Sequence, residues 1–165
     1  MKSSSKKILV TGVAGFLGSH LAEQLTEMNY KVVGVDNMSG GYKDNIPNNV
    51  EFFNFDCCDL DKMKEVMKDV NVVYHCAATA HEGLSVFSPV EITKNNYLAS
   101  VSVFTAAINN KVKRIIFCSS MARYGSQQTP FTEDMIPKPI DPYAISKVAA
   151  ENVLMNLCEL NNIEW

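Results

Sequence analysis

Residues Ile8 to Leu25 read ILVTGVAGFLGSHLAEQL: a short apolar run, glycines at positions 12, 15 and 18, then apolar residues returning at helical intervals. Glycine costs conformational entropy in ordered backbone, so three of them, three apart, between a strand and a helix answer a backbone need that side chains would obstruct. In the dinucleotide fingerprint the first permits a tight turn, the second lets the backbone approach a pyrophosphate, and the third lets the helix pack close on the strand. The amino end of that helix then offers unpaired N–H groups and a partial positive charge to the diphosphate. A second signal agrees with the first. The run KVVGVD ends at Asp36, 18 residues beyond Gly18. A carboxylate there accepts hydrogen bonds from both hydroxyls of an adenosine ribose and repels a 2′-phosphate, which selects NAD over NADP.

Apolar runs rich in Val, Ile and Phe recur at Lys7 to Val10, Lys31 to Val35, Val50 to Phe55, Asn71 to Cys76 and Arg114 to Ser119. Each is short and nearly continuous, as strands buried on both faces require. Between them, Leu17, Leu21 and Leu25 share one helical face, Met63, Val66 and Met67 share another, and Ala99 to Asn110 and Tyr143 to Leu160 read as helices. This alternation predicts right-handed crossovers and a doubly wound parallel α/β sheet, the Rossmann fold, in one domain over residues 1–165. Ligands of such sheets sit at the carboxyl ends of the strands, near the point where the strand order reverses. Gly125 to Pro142, with four of the six prolines, is the longest irregular connection and is expected to face the substrate.

Composition narrows the function classes. With 165 residues, 47% of them hydrophobic and 20% charged, the chain can build one real core. A net charge of −3 leaves no basic footprint for nucleic acid, and no run approaches the ~18 apolar residues of a membrane span. MKSSSKK followed by an apolar run imitates a signal peptide, but the glycine spacing accounts for it better, so a cytoplasmic protein is expected. Five cysteines, at 57, 58, 76, 118 and 158, include no C-x-x-C and fall mostly in apolar runs. They read as reduced thiols, with neither a disulfide nor a metal site expected. His20 and His75 read as packed or surface residues, and the eight methionines as core filler. His81, in a loop with Glu82, is a candidate substrate contact.

The second constellation is DPYAISK, Asp141 to Lys147. Asp141 is placed to cap a helix that has Pro142 at its first position, and Tyr143 and Lys147, four apart, project into one space. A phenol is a poor base at neutral pH, but a nearby ammonium and an oxidised nicotinamide ring both favour phenolate, which makes a tyrosine a usable acid/base. Upstream, IIFCSSMARYG puts Ser119 and Ser120 at the carboxyl edge of a strand, where a hydroxyl can hydrogen-bond a reacting alcohol or carbonyl.

Taken in order, TGVAGFLG (Thr11 to Gly18), VDN (Val35 to Asn37), FDCCD (Phe55 to Asp59), HCAA (His75 to Ala78), NNYLAS (Asn95 to Ser100), SSMARYG (Ser119 to Gly125) and YAISK (Tyr143 to Lys147) resemble the extended short-chain dehydrogenase/reductase family, in particular its nucleotide-sugar epimerases and dehydratases. The resemblance implies NAD as cofactor, held by Gly12, Gly15, Phe16, Leu17, Gly18, Asp36 and Asn37. It carries Asp56 and Cys57 to the adenine, Ala77 and Ala78 to the middle of the cofactor, and Asn96 to the nicotinamide side or the central strands. It makes Ser120, Tyr143 and Lys147 the catalytic set, with Tyr143 and Lys147 also against the cofactor, Ser120 and Tyr143 against substrate, and Ser85 near the substrate diphosphate.

DNMSGGYKDNIP and AATAHEGLSVFSP look most like the UDP-sugar 4-epimerases, and Met121 and Ala122 stand where the similar dehydratases carry an Asp-Glu pair. The implied reaction is epimerisation of a UDP-glucose or UDP-galactose type sugar, with hydride passing to NAD and returning to the other face. The resemblance also implies a homodimer joined by a four-helix bundle of the Ala99 and Tyr143 helices, and a carboxyl-terminal substrate region after NNIEW, which begins a sixth strand. The alternatives are a catalytically incomplete NAD-binding or dimerising module, and a dehydratase or reductase of the same family.

Overall fold

The computed structural model describes residues 6–165. Five parallel strands, β1 (Lys7–Thr11), β2 (Lys31–Asp36), β3 (Glu51–Asn54), β4 (Val70–His75) and β5 (Arg114–Phe117), lie in the order β3-β2-β1-β4-β5. The order reverses between β1 and β4, where the connections leave in opposite directions and open a crevice at the carboxyl edge. Helices α1 (Phe16–Glu27), α2 (Leu60–Val66), α3 (Pro89–Ile92), α4 (Ala99–Asn109) and α5 (Pro142–Asn161) link and flank the strands. A π-helical stretch, Thr93–Leu98, joins α3 to α4. Beside β5, Glu164 makes a single parallel bridge to Arg114, at the place expected for a sixth strand.

Successive residues of a strand face opposite sides, so β1 feeds two cores at once. Leu9 joins Val33, Val73, Phe104, Ile115, Met63, Met67 and Leu154 on the side of α2, α4 and α5. Ile8 and Val10 join Val13, Ala22, Leu25 and Val32 on the side of α1. This double burial is why the strands read as continuous apolar runs. Strand β3 departs from that expectation: Phe53 is 37% exposed, because β3 is the edge strand and pairs only with β2.

Helix α1 is turned differently from the leucine row in its sequence. Leu17 is 54% exposed, whereas Gly18, Ala22 and Leu25 face the sheet. The cause is a close approach: a Cβ on Gly18 would lie 2.1 Å from the carbonyl oxygen of Gly12. That contact fixes the helix rotation before the leucines have a say. Gly12 itself has φ +73°, and its own Cβ would press within 2.8 Å of the Ala77 backbone nitrogen. At Gly15, in contrast, the nearest atom to a Cβ is the Gly12 oxygen at 3.3 Å, a tight contact that a small shift relieves, so the fold requires glycine there less strictly than at Gly18.

Gly18→Ala therefore overpacks the joint and should lower unfolding stability by about 3 kcal/mol, whereas Gly15→Ala should cost under about 1 kcal/mol. Urea unfolding of the three proteins checks the contrast; equal stabilities would overturn it.

Candidate active site

Every backbone element that the sequence singled out ends at the same edge of the sheet. From β3 to β5 the order is Asp56 and Cys57, then Asp36 and Asn37, then the glycine turn, then Ala77 and Ala78, then Ser120. Four strand spacings of ~4.8 Å make this row roughly 19 Å long. The row suits an extended ligand lying across the strand ends.

The glycine turn is braced by the residue expected to choose the cofactor. Asp36 Oδ2 accepts the Ala14 N–H at 3.0 Å and Oδ1 accepts the Met38 N–H at 2.8 Å. Met38 has φ +61°, a costly backbone for an unbranched apolar residue, and that bond helps hold it there. Each carboxylate oxygen keeps a second lone pair for a ribose hydroxyl. No side chain caps α1, whose N-cap is Gly15, so the N–H groups of its first turn stay available to an anion. Phe16 and Leu17 stand exposed on that turn. A glycine at the start of α1, free first-turn donors and an acidic group at the end of β2 fit a dinucleotide.

At the β3 end, the Asp56 carboxylate accepts the Cys58 N–H at 2.9 Å and lies 3.3 Å from the Lys94 ammonium. Burial works against its charge, but these partners hold its carboxyl below the usual range. Burial, with the nearby carboxylates of Asp56 and Asp36, pushes the Cys57 thiol up to about 12, so it packs as a neutral side chain.

Beneath the middle of the row runs a chain of hydrogen bonds that the sequence did not show. Thr11 Oγ1 and His75 Nδ1 are 2.6 Å apart, and His75 Nε2 lies 2.9 Å from Ser100 Oγ. Ser100 Oγ donates to the Asn96 carbonyl, so it must accept from His75. The imidazole is thereby the neutral Nε2–H tautomer, and Thr11 donates to Nδ1. Complete burial, and to a smaller degree the Lys147 charge, depress the His75 pKa to about 3. Thr11 Oγ1 in turn accepts the Ala77 N–H at 3.3 Å. Asn96, buried in the π-helical stretch, takes the Thr79 N–H at 2.7 Å and donates to the Thr79 carbonyl at 3.2 Å. The loop after β4 is thus gripped from both sides.

At the β5 end, Ser120 Oγ accepts the Ala122 N–H at 3.2 Å, which leaves its own O–H free to donate. Its neighbour Ser119 has a buried hydroxyl without a partner. Asp141 caps α5 through the Ala144 N–H at 2.8 Å, and Pro142 is the first helical residue, so α5 starts as its sequence required. Tyr143 and Lys147 sit one turn apart, 8% and 3% exposed. The Lys147 ammonium lies 4.3 Å from the centre of the Phe117 ring. Burial, partly countered by the Cys118, Cys76 and Glu151 charges, lowers the Lys147 pKa to about 8. Arg123 and Glu151, 3.1 Å apart and mostly buried, tie the turn after Ser120 to α5.

Ser85 is fully buried and donates to the Glu82 carbonyl at 2.6 Å, with Asp141 at 3.4 Å, which places it beside the amino end of α5. His20 is exposed on α1, with Glu23 at 4.0 Å. A groove of about 770 Å³ between α1 and residues 40–49 touches Gly15 and Phe16 but none of Ser120, Tyr143 and Lys147. No group of three metal-ligating side chains converges, and no helix is long and apolar enough to cross a membrane, among the described residues.

Comparison with known proteins agrees with this geometry. Residues 8–165 match the profile of the NAD dependent epimerase/dehydratase family. The chain is 37% identical over 161 residues to a putative UDP-glucose 4-epimerase of Methanocaldococcus jannaschii, covering 96% of this chain and 53% of that one. A UDP-glucose 4-epimerase of Thermotoga maritima, solved with UDP-glucose, superposes with a TM-score of 0.91 at 35% identity, over 95% of this chain and 52% of that one. The UDP-glucose 4-epimerase of Thermus thermophilus, solved as a complex with NAD, gives a TM-score of 0.92 at 32% identity, over 96% of this chain and 53% of that one. The chain spans about half the length of the curated relatives it matches. Sheet order, glycine turn and sequence match together make this chain a member of the NAD-dependent epimerase/dehydratase family.

Proposed function

We propose that this chain holds NAD and carries the proton-transferring residues of a nucleotide-sugar 4-epimerase, an isomerase acting on sugars of the UDP-glucose and UDP-galactose type. The observation that carries this reading is the placement of Tyr143 and Lys147. Both are buried in the first turns of α5, which packs on the turn after Ser120, at the end of a row that begins with Asp56 and Asp36. Bound NAD supplies the hydride acceptor and donor. The Tyr143 phenol oxygen takes the proton of the sugar hydroxyl as it becomes a carbonyl and returns it when the alcohol re-forms. The Lys147 ammonium stabilises the charge on that oxygen, and the Ser120 O–H donates to the sugar oxygen. Asp36 and the first turn of α1 receive the adenosine ribose and the diphosphate. Met121 and Ala122 follow Ser120 and offer no carboxyl group for dehydration.

In this reading two copies pair through α4 and α5. Val101 and Ile108 on α4 are half-buried, and Ile145, Met155 and Leu160 on α5 are exposed. Sedimentation at tens of micromolar should give a dimer; a monomer would count against the pairing.

Tyr143→Phe keeps the ring and removes the oxygen, so NAD binding should persist while turnover falls roughly 10²-fold or more. Asp36→Ala should instead weaken NAD and narrow its advantage over NADP. Calorimetry with both cofactors, and interconversion of UDP-glucose and UDP-galactose by the longest gene product containing this chain, test the pair. An active Tyr143→Phe protein would falsify the assignment of the acid/base.

Lys147 yields a pH signature. Its folded pKa of about 8 lies below the ordinary 10.5, so between those values the unfolded chain binds more protons and stability rises with pH. A depression of that size is worth about 3 kcal/mol. Relative to the parent, Lys147→Met should gain stability as the pH falls from 10.5 to 8 and hold that gain at pH 7. Urea unfolding across this range checks it, and parallel pH profiles for the two proteins would contradict it.

A further inference from the structure

Cys76 and Cys118 occupy the first positions beyond β4 and β5, strands that pair directly up to His75 and Phe117. The Cys118 N–H donates to the His75 carbonyl at 3.1 Å, so the two strand ends are still joined at this level. The Sγ atoms stand 3.6 Å apart and share a hydrogen bond. Both residues are only half-buried, whereas Cys57 and Cys158 are buried. Neighbouring strands lie ~4.8 Å apart, inside the Cα window of a disulfide, ~4.4–6.8 Å. Closing the sulfurs to a bond of ~2.05 Å asks for a side-chain movement of about 1.5 Å. The pair is also chemically uneven. Once a proton leaves, the Cys76 S–H donates to the Cys118 thiolate and, against the effect of burial, brings Cys118 down to about 7 with help from the Lys147 charge. The same hydrogen bond, with burial, pushes Cys76 up. One sulfur is thus a ready nucleophile and the other holds a proton until needed.

We propose that Cys76 and Cys118 form a reversible dithiol/disulfide site at the carboxyl edge of the sheet, with a low-molecular-weight disulfide as co-reactant. The Cys118 thiolate attacks one sulfur of glutathione disulfide, breaks its S–S bond and releases one glutathione thiolate, which takes up the proton Cys118 had lost. Cys76 then gives up its proton and attacks Cys118 Sγ, expelling the second glutathione as a thiol. Two protein thiols are oxidised, and one glutathione disulfide is reduced to two thiols. The site stands independently of the epimerase reading, because neither step uses NAD or a sugar.

The test is oxidation of the 165-residue chain with glutathione disulfide, alkylation of the remaining thiols and peptide mapping by mass spectrometry. Alkylatable cysteines should fall from five to three, with the Cys76 and Cys118 peptides joined and two hydrogens lighter, and dithiothreitol should restore all five. Cys76→Ser should trap glutathione on Cys118, and Cys118→Ser should leave Cys76 alkylatable. Glutathione retained on Cys118 in the parent chain, or oxidation at Cys58 with Cys76 and Cys118 still alkylated, would overturn the proposal. None of these readings depends on cofactor binding or turnover, so failure here and failure of the epimerase assignment are distinguishable.

Discussion

The imidazole of His75 is the group around which the candidate site is organised. It lies in the interior between Phe104 and Phe117, with ring centres 5.7 and 5.6 Å away, where a charge has no place. Kept neutral, it converts one donor and one acceptor into a link between β1 and the helix that follows the π-helical stretch. A fully satisfied buried polar chain is rigid because breaking one bond strands its neighbours without water. Thr11 and Asn96, at its two ends, hold Ala77 and Thr79, the backbone that walls the crevice at the reversal of strand order. The irregular helix is part of the same arrangement. Ser100 bonds back to the Asn96 carbonyl, and the wide π turn lets the Asn96 side chain reach the β4 loop.

The sequence made legible whatever is local. The glycine turn, the capped start of α5 and the placement of Tyr143 and Lys147 one turn apart all follow from spacing within one turn or one helix, and the structure builds them as their residues require. The parallel, doubly wound sheet was legible through the alternation of elements, but its strand order was not. What stayed hidden depends on partners distant in the chain. The inward face of α1 is set by Gly18 against the Gly12 carbonyl, which the leucine periodicity does not encode. The exposure of Phe53 depends on which strand has a single neighbour. His75 could be read as packed, but its partners at Thr11 and Ser100 are brought to it by strand pairing and helix packing. Cys76 and Cys118, 42 residues apart, meet only because β4 and β5 pair in that register.

Lys147 shows the cost of burying a charge. An ammonium on the first turns of a helix, 3% exposed and resting on the Phe117 ring, recovers part of its lost hydration from the π face and from the acidic groups around it, Glu151 among them. A core built for stability alone would place an apolar residue there. The tie between Arg123 and Glu151 keeps the surrounding turn in place despite that burden.

The double engagement of Asp36 bears on how cofactor preference can change over evolution or in the laboratory. Its carboxylate, proposed above as the acceptor for a ribose, is also the clasp that holds the Ala14 N–H and the left-handed Met38. A single exchange to a neutral or basic residue removes the repulsion toward a 2′-phosphate and at the same moment releases the turn that receives the diphosphate. A change of preference made by that one exchange therefore carries a cost to the turn, which a replacement acceptor for the Ala14 N–H would offset. Preference here is anchored by the architecture of the loop as well as by the ligand it selects.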